Sequence, residues 1–309
     1  MNVVFMGTPE FAKPSLKALI DSNHQICAVF TKADMPKNRG MKLTMPPVKM
    51  LALEHNIPVY QPKSLKDDGI FELLKNLAPD IIVVAAYGLM LPKAVLELPR
   101  YGCINVHASL LPKYRGASPI NAAIIEGENE SGITIMQMNR GIDTGDILAF
   151  RSIEIGKRDT FGILHDRLAE IGGGLLIEVL EQIEQGTVKS IKQQDELSSY
   201  AHMIKPNDTF VSFMGRAEAV SNKIRGFDPI PGAYGFLGEE KLKLFSGEFN
   251  DYNCENKPGE IIKCDKKGLL VQATGGTVLI KEVQLSGKKR MAADDCFRGR
   301  SGLLDETFK

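Results

Sequence analysis

The chain has 309 residues, of which 43% are hydrophobic and 25% are charged, and its formal net charge is zero. These fractions are typical of a soluble globular protein, and the length predicts about two domains. A neutral chain has no global field that would attract nucleic acid, so any contact with phosphates has to come from local basic patches.

The cysteines and the apolar stretches restrict the compartment and the cofactors. The five cysteines are odd in number and form no Cys-x-x-Cys pair, which argues against a zinc site and against a disulfide framework. The N-terminal residues lack the basic segment and apolar core of a signal peptide, and no stretch is long enough to span a membrane. We therefore expect a cytoplasmic protein that binds neither a metal nor a membrane.

The first elements follow the strand–helix order of an α/β fold. Residues 2–6 form a short apolar run that ends at Gly7, and apolar residues then recur at helical spacing as far as Ile20. A second strand is predicted over residues 25–31. The Gly-x-Gly-x-x-Gly fingerprint of dinucleotide-binding proteins is missing after the first strand, so dinucleotide binding is not favoured.

The next stretch, residues 32–49, is basic and lacks a hydrophobic period. It contains five basic residues and one acidic residue, a net charge of +4, and it is interrupted by prolines and a glycine. One interpretation is a solvated surface loop. The other is an extended arm that reaches phosphates and becomes ordered on contact, with Arg39 able to make a forked contact.

Helices and strands then alternate up to residue 185. The strand over residues 80–87 is apolar throughout, which is typical of the middle of a parallel sheet with both faces covered. A long helix over residues 160–185 contains three glycines at 172–174, which indicate close packing. The other predicted elements are helices over 47–56, 67–77 and 92–98 and strands over 57–61, 132–138 and 148–155. We predict a Rossmann-like, mostly parallel sheet with helices on both faces, as a first domain over residues 1–192.

A polar stretch marks the expected domain boundary. Residues 193–204 follow neither a helical nor a strand pattern, which favours a linker. After one helix over residues 217–225, short β-type runs alternate with turn residues, over 233–237, 242–245, 259–263, 268–273 and 276–283. This pattern predicts a small OB-fold-like β-barrel as a second domain over residues 205–309.

The clearest chemical signal lies between Gly102 and Asn121. Asn105 and His107 alternate with apolar residues in a predicted strand, so both side chains leave the strand on one face. A carboxamide and an imidazole side by side can hold a carbonyl oxygen and move a proton. A loop with a proline at its end follows, and a helix is predicted to begin with Ser118 as N-cap and Pro119 in the first turn.

Asp143 lies in a second motif, Gly141-Ile142-Asp143-Thr144-Gly145-Asp146. Either motif alone is compatible with a purely structural role, as a core histidine or a turn-forming aspartate. Together they resemble the folate-dependent formyltransferases, whose core carries an Asn-x-His pair, a Ser-Leu-Leu-Pro loop and a later Asp-x-Gly. The resemblance implies that Asn105, His107 and Asp143 are catalytic. It also implies that a loop contacts the co-substrate 10-formyltetrahydrofolate, through Ser109, Leu110, Leu111 and Pro112.

The longer run over residues 109–121 and the opening turn over residues 7–11 are most similar to the branch of this family that formylates methionyl-tRNA. The resemblance implies transfer of a formyl group to the free amino group of methionyl-initiator tRNA, giving N-formylmethionyl-tRNA for translation initiation. It also implies a monomer whose second domain binds tRNA and whose basic loop reaches the acceptor end of the tRNA, through Lys37, Arg39 and Lys42.

Three alternatives remain. A sugar-nucleotide formyltransferase shares the catalytic core and a similar second domain, but its small acceptor would leave the basic loop at residues 32–49 without a clear task. A glycinamide ribonucleotide transformylase is shorter and would end near the linker. An RNA-binding protein without catalytic activity would not need Asn105, His107 and Asp143, because phosphate binding requires none of them.

Overall fold

The computed structural model describes residues 1–37, 42–252, 255–300 and 302–309. Contacts between Cα atoms divide the chain into two compact units, each assembled from several segments. Unit 1 contains Met1–Gly116, Ser131–Ile153 and His165–Tyr200, and unit 2 contains Ala117–Glu130, Glu154–Leu164 and Ala201–Lys309. Within the described ranges, none of the helices combines the length and the apolar composition needed to cross a membrane.

Unit 1 is built on a seven-stranded sheet. Across the sheet, the strand order is Ile147–Glu154, Glu130–Gln137, Cys103–His107, Ile81–Ala85, Asn2–Gly7, Gln25–Phe30 and Val59–Tyr60. From Cys103–His107 to Val59–Tyr60 every neighbouring pair is parallel, whereas Cys103–His107 and Glu130–Gln137 are antiparallel. The predicted mostly parallel sheet is confirmed. Because the parallel strands run the same way, their carboxyl ends meet at one edge, which is where open α/β sheets bind ligands.

The central strands of this sheet are apolar on both sides because helices cover both faces. Val4 and Met6 point to one face, where they belong to the same buried cluster as Leu74 of the helix Asp68–Leu77. Such two-sided burial explains why the central strands are continuous apolar runs. The other helices of this unit are Lys13–Ile20, Pro47–Glu54 and Lys93–Leu96, with shorter 3-10 turns at Glu10–Ala12 and Asp195–Leu197.

The long helix Phe161–Gln185 packs on the opposite face through its glycines. A Cβ atom at Gly172 would lie 3.0 Å from Cγ1 of Val106, and one at Gly173 would lie 2.9 Å from the carbonyl oxygen of Pro14. A larger side chain would therefore push the helix away from the sheet at Gly172 and away from the neighbouring helix that contains Pro14 at Gly173. The helix continues through these glycines without interruption, and close packing is confirmed for Gly172 and Gly173. Gly174 does not share this role, because a Cβ atom there would meet no heavy atom within 4 Å among the described residues.

The basic stretch contains a short hairpin that the sequence did not predict. Met35–Lys37 and Lys42–Thr44 pair as antiparallel strands, with Lys37 opposite Lys42. The expectation of an extended loop is therefore wrong for these six residues. Each strand has only three residues, and the first contains Pro36. The strands are therefore too short and too polar to produce an apolar alternation. Arg39 lies outside the described residues.

The two ends of this hairpin are joined by a polar network. The Lys49 ammonium donates to both carboxylate oxygens of Asp34, at 2.8 and 2.9 Å, and to Oε1 of Gln61 at 2.8 Å. The Gln61 amide in turn donates to Asp34 and to the carbonyl oxygen of Lys32. Residues before and after the hairpin are thereby held together at its base.

Unit 2 contains an antiparallel sheet. The order of its strands is Ala233–Leu237, Glu240–Asn250, Gly276–Leu285, Gly268–Ala273 and Ile261–Asp265, with Met291–Ala292 paired beside Gly276–Leu285. The last residues of the chain connect its two edges. The Phe308 N–H donates to the Gly259 carbonyl oxygen, and the Lys309 N–H donates to the Phe236 carbonyl oxygen, each at 2.9 Å. The predicted antiparallel domain is confirmed, and its barrel-like closure depends on residues 307–309.

Within the described residues, three helices lie wholly in this unit: Pro119–Ile125, Ala217–Gly226 and Ala293–Phe297. Ser118 and Pro119 occupy the predicted positions, but the Ser118 side chain makes no capping hydrogen bond. Asn121 instead ties the first helix to the second, because its side-chain amide donates to the Gly226 carbonyl oxygen at 2.7 Å. Residues 117–130 lie far before the predicted linker at 193–204 in the sequence, yet they belong to unit 2.

This arrangement predicts the behaviour of a fragment that ends at residue 192. The fragment would contain the helix Pro119–Ile125 without the helix Ala217–Gly226, so Ile125, which packs against the buried hydrophobic cluster of unit 2, would lose its apolar neighbours. We expect the fragment to aggregate and to melt at a lower temperature than the complete chain, as measured by light scattering and circular dichroism.

The same substitution in the fragment and in the complete chain tests the cause. Changing Ile125 to glutamine should reduce aggregation of the fragment and destabilise the complete chain, since only the complete chain contains the hydrophobic cluster on which Ile125 packs. A fragment that melts cooperatively at the temperature of the complete chain would contradict the expectation.

Candidate active site

The strand Cys103–His107 presents two polar side chains on one face of the central sheet. Its pairing places Asn105 beside Val84 on one side and Met136 on the other, and His107 beside Thr134. The intervening residues of the strand are buried and apolar, so the alternation expected from the sequence is present. Asn105 and His107 therefore project together from the carboxyl-terminal part of a buried strand.

The loop between residues 138 and 146 brings Asp143 onto this face. Asp143 Oδ1 lies 3.4 Å from Nδ2 of Asn105, and Asp143 Oδ2 lies 3.5 Å from Nδ1 of His107. The backbone N–H of Gly116 donates to the same Oδ2 at 2.8 Å. The structure thus brings all three predicted residues together, with the carboxylate between the amide and the imidazole.

A backbone carbonyl determines the orientation of the imidazole. His107 Nε2 lies 3.0 Å from the carbonyl oxygen of Tyr114, and the ring is 5% exposed. Because a carbonyl oxygen can only accept, Nε2 carries a proton in this contact. In the neutral ring, Nδ1 is then the unprotonated nitrogen, and it is the nitrogen that faces Asp143.

Two residues that contact His107 have unusual backbone conformations. Tyr114 and Asp143 adopt positive φ angles of 59° and 52°, in the left-handed region that non-glycine residues rarely occupy. Such conformations cost on the order of 1–3 kcal/mol each and persist only where the surrounding contacts hold them. Gly116, at φ 110°, supplies a further turn that a side chain would strain.

The predicted folate loop, Ser109–Pro112, is tied to the neighbouring strand. The Ser109 hydroxyl donates to the carbonyl oxygen of Lys113 at 2.6 Å, and the Thr134 hydroxyl donates to the carbonyl oxygen of Ser109 at 2.7 Å. Leu111 is buried with Met136, whereas Leu110 and Pro112 are half-buried. The loop therefore has a fixed shape, with Leu110 and Pro112 as its more accessible side chains.

Two residues of the site were missed by sequence reasoning. The Arg115 guanidinium, 2% exposed, donates from Nε and Nη2 to Oε1 of Gln193, at 3.0 and 2.9 Å. The Gln193 amide donates to the carbonyl oxygens of Asp143 and Gly145, at 2.8 and 2.6 Å. Neither residue follows a periodic pattern. The only signal for Arg115 is its place in the basic segment Lys113-Tyr114-Arg115, directly after the predicted folate loop.

The backbones of Lys37 and Lys42 pair with each other in the hairpin. The hairpin follows the strand Gln25–Phe30, whose carboxyl end lies at the same sheet edge as the carboxyl end of Cys103–His107. The third residue implied to contact tRNA, Arg39, falls outside the described part of the chain.

Comparison with known proteins agrees with this geometry. The family described as Formyl transferase matches residues 1–180, and that described as Formyl transferase, C-terminal domain, matches residues 203–301. The methionyl-tRNA formyltransferase of Syntrophus aciditrophicus (strain SB) is 46% identical over 299 residues, which cover 97% of this chain and 96% of that protein. That of Clostridium novyi (strain NT) is 45% identical over 310 residues, which cover 100% of both chains.

A solved structure extends the likeness to the fold. The N-formyltransferase of Helicobacter canadensis, in complex with folinic acid and dTDP-3-aminofucose, has a TM-score of 0.68 and 19% identity, and the match covers 94% of this chain and 99% of that one. At such low identity the likeness concerns the fold alone. The two family matches and the full-length relatives go further, because they span both the cluster of Asn105, His107 and Asp143 and the C-terminal region. The chain belongs to the methionyl-tRNA formyltransferase family.

Proposed function

We propose that the chain transfers the formyl group of 10-formyltetrahydrofolate to the free amino group of methionyl-initiator tRNA, giving N-formylmethionyl-tRNA for translation initiation. The observation that carries the proposal is that Asn105 and His107 each place a side-chain nitrogen within 3.5 Å of the Asp143 carboxylate. The relatives named methionyl-tRNA formyltransferase support the acceptor. The folinic acid bound to the N-formyltransferase of Helicobacter canadensis supports a folate donor.

The reaction sets two requirements for the site. The amine nitrogen attacks the carbonyl carbon of the formyl group, so the tetrahedral intermediate carries its negative charge on the former carbonyl oxygen. The bond from carbon to N10 of the folate then breaks, N10 takes up a proton, and the amine gives one up. The site therefore needs a donor for the oxyanion and groups that exchange protons.

Asn105 is suited to the first requirement. Its side-chain nitrogen carries two N–H groups, and one faces Asp143 at 3.4 Å, a long contact. The second N–H can donate to the oxyanion of the intermediate. Because the strand fixes the side chain on the same face as His107, this donor is oriented before the substrate binds, which is the condition for strong stabilisation of a transition state.

His107 and Asp143 are suited to the second requirement. Tyr114 occupies Nε2 of His107, so proton exchange at the ring occurs at Nδ1, which faces Asp143. The separation of 3.5 Å between Nδ1 and Oδ2 is longer than a normal hydrogen bond, so both atoms can still bind a reacting group. In this mechanism the carboxylate accepts the proton of the amine, directly or through water, and passes it to Nδ1 of His107. The imidazolium formed in this way stabilises the oxyanion and then supplies the proton that N10 takes up.

The remaining assignments belong to the same proposal. The loop Ser109–Pro112 contacts the folate, and Lys37, Arg39 and Lys42 contact the acceptor end of the tRNA. Residues 1–192 form the catalytic domain, 193–204 the linker and 205–309 the tRNA-binding domain of a monomeric cytoplasmic enzyme. The antiparallel sheet of the C-terminal unit supports the last of these domain roles, since barrels of this type commonly bind single-stranded nucleic acid.

A comparison of acceptors tests the proposal. The purified chain, given 10-formyltetrahydrofolate, should formylate charged initiator tRNA with a higher kcat/KM than charged elongator methionyl-tRNA or a nucleotide-linked amino sugar. Mass spectrometry of the acceptors measures the product. Faster transfer to the amino sugar would replace the proposed acceptor, and no transfer to any of the three would refute the reaction.

The Asp143 loop provides a further prediction. A Cβ atom at Gly145 would overlap the carbonyl oxygen of Gln137, so Gly145→Ala has to displace the loop. Displacement of a catalytic group by about 1 Å can cost on the order of 100-fold, and we expect kcat to fall by at least about tenfold. Steady-state kinetics with charged initiator tRNA measures the effect.

Gly174→Ala is the matched control for this substitution. Gly174 lies within the helix Phe161–Gln185, and a Cβ atom there would meet no heavy atom within 4 Å among the described residues. We expect unchanged kcat and a gain of roughly 0.5–1 kcal/mol in the free energy of unfolding, since alanine favours the helix. A Gly145→Ala enzyme as active as this control would show that the loop tolerates displacement.

A further inference from the structure

The side chain of Gln193 connects the two segments that hold the catalytic residues. One segment is Tyr114–Gly116, which contacts His107 through a carbonyl oxygen and Asp143 through a backbone N–H. The other is the Asp143 loop itself. Gln193 accepts two hydrogen bonds from Arg115 in the first segment and donates two to carbonyl oxygens in the second.

The chemistry of its neighbours gives this carboxamide a single orientation. Arg115 can only donate, so the carboxamide oxygen has to face the guanidinium. The carbonyl oxygens of Asp143 and Gly145 can only accept, so the amide nitrogen has to face them. A flipped carboxamide would lose all four hydrogen bonds. Arg115 is held in turn by Asp195, whose carboxylate accepts from Nη2 at 2.7 Å.

Residues 193–199 also make hydrogen bonds to the two residues with strained backbones, Tyr114 and Asp143. The Ser199 hydroxyl accepts from the Tyr114 N–H at 3.0 Å, and the Ser199 carbonyl oxygen accepts from the Arg115 N–H at 2.9 Å. Gln193 donates to the carbonyl oxygen of Asp143. Tyr114 and Asp143 both have left-handed backbones, and each makes a hydrogen bond with residues 193–199. Strained conformations require such external contacts to persist.

We propose that Gln193 is a positioning residue, which keeps the Asp143 carboxylate between Asn105 and His107 by holding the Asp143 loop against Tyr114–Gly116. It touches neither substrate nor reacting atoms in this role. The inference rests on the proposed function, because its effect appears in the rate of formyl transfer. A polar stretch that resembles a simple linker in the sequence thereby becomes part of the frame of the active site.

Gln193→Met removes all four hydrogen bonds at nearly constant side-chain length. We expect kcat to fall about 10- to 100-fold, as for a misplaced catalytic group, with little change in the KM for folate or tRNA. Gln194→Met is the matched control, since it makes the same change at the exposed neighbouring residue and should leave both parameters unchanged. A Gln193→Met enzyme with the kcat of this control would overturn the inference.

A second variant covers the case in which the methionine variant fails to fold. Gln193→Glu has the same shape and still accepts from Arg115, but it lacks the two donors for the Asp143 loop. We expect the same loss of kcat with retained folding, measured by circular dichroism. Full activity of this variant would show that the bonds to the Asp143 loop are not needed for catalysis, which also overturns the inference.

A double-mutant cycle separates positioning from a general loss of structure. If Gln193 acts through Asp143, then Gln193→Met should cost little further activity in an Asp143→Asn background. If Gln193 has only a general structural role, Gln193→Met should lower kcat by the same factor with Asp143 and with the Asp143→Asn substitution. That result would overturn the proposal. The unmodified enzyme is measured alongside: if it forms no N-formylmethionyl-tRNA, the proposed function fails, whereas an active enzyme with an additive cycle refutes only the role of Gln193.

Discussion

Alanine at His107 should reduce kcat for formyl transfer by about 100-fold or more, the usual scale for loss of a positioned acid–base group. The substitution removes the imidazole that lies between the Tyr114 carbonyl oxygen and the Asp143 carboxylate. Steady-state kinetics at saturating folate and tRNA measures the loss, and circular dichroism checks that the fold is retained. His55→Ala, an exposed histidine at the end of the helix Pro47–Glu54, is the control and should retain full activity.

The other two members of the cluster should behave in the same way. Asn105→Ala removes the proposed oxyanion donor and Asp143→Ala removes the carboxylate, and each should cost about 100-fold or more in kcat. Because Asn105 and His107 both contact Asp143, a double variant should cost far less than the product of the single effects. If all three single variants fold and keep more than about a tenth of the activity, the mechanism is wrong.

Removal of residues 36–43 should produce the second large effect. The deletion should change the KM for tRNA and leave the KM for folate unchanged. The stretch from 32 to 49 carries a net charge of +4, and its base is held by Asp34, Lys49 and Gln61, all of which the deletion leaves in place. We expect the KM for charged initiator tRNA to rise about tenfold or more, and the preference over elongator tRNA to decrease. Unchanged tRNA KM and preference after the deletion would refute the role of the hairpin.

Single substitutions separate the contribution of Arg39 to tRNA recognition from those of Lys37 and Lys42. Arg39→Ala should lower the preference for initiator tRNA, and Arg39→Lys should not restore it, because an ammonium cannot make a forked contact. Changes of Lys37 or Lys42 to alanine should weaken binding of both tRNAs and reduce the salt dependence of the KM. Equal behaviour of Arg39→Lys and the unmodified enzyme would show that only charge matters at this position.

The elements that could be predicted from the sequence are those whose burial leaves a periodic or continuous pattern. The strand at residues 81–85 is apolar throughout because both of its faces are covered, and the strands of the C-terminal sheet alternate with turn residues. Met35 and Leu43 of the hairpin are both exposed, so its described side chains leave no pattern of burial in the sequence. The membership of residues 117–130 in unit 2 and the closure by residues 307–309 depend on long-range contacts, which leave no local signal.

The residues of the candidate site also divide into those that a sequence pattern could predict and those that it could not. Asn105 and His107 could be placed on one face from alternation alone, whereas Asp143 depended on the resemblance to a family. The Tyr114 carbonyl oxygen and the Gly116 N–H could not be predicted, because nearly every residue has these groups and only the backbone conformation aims them. Gln193 could not be predicted from its polar stretch, because hydrogen bonding by side chains leaves no periodic pattern in a sequence.

A single-turnover measurement tests the central claim most directly. Enzyme in excess is mixed with charged initiator tRNA and labelled 10-formyltetrahydrofolate, and the label on the methionyl amino group is followed over time, for the unmodified chain and for Asp143→Asn. We predict rapid transfer by the unmodified chain and a rate at least about 100-fold lower for the variant, at equal binding of both substrates. Equal rates for the two proteins, or no transfer by the unmodified chain, would contradict the proposed mechanism.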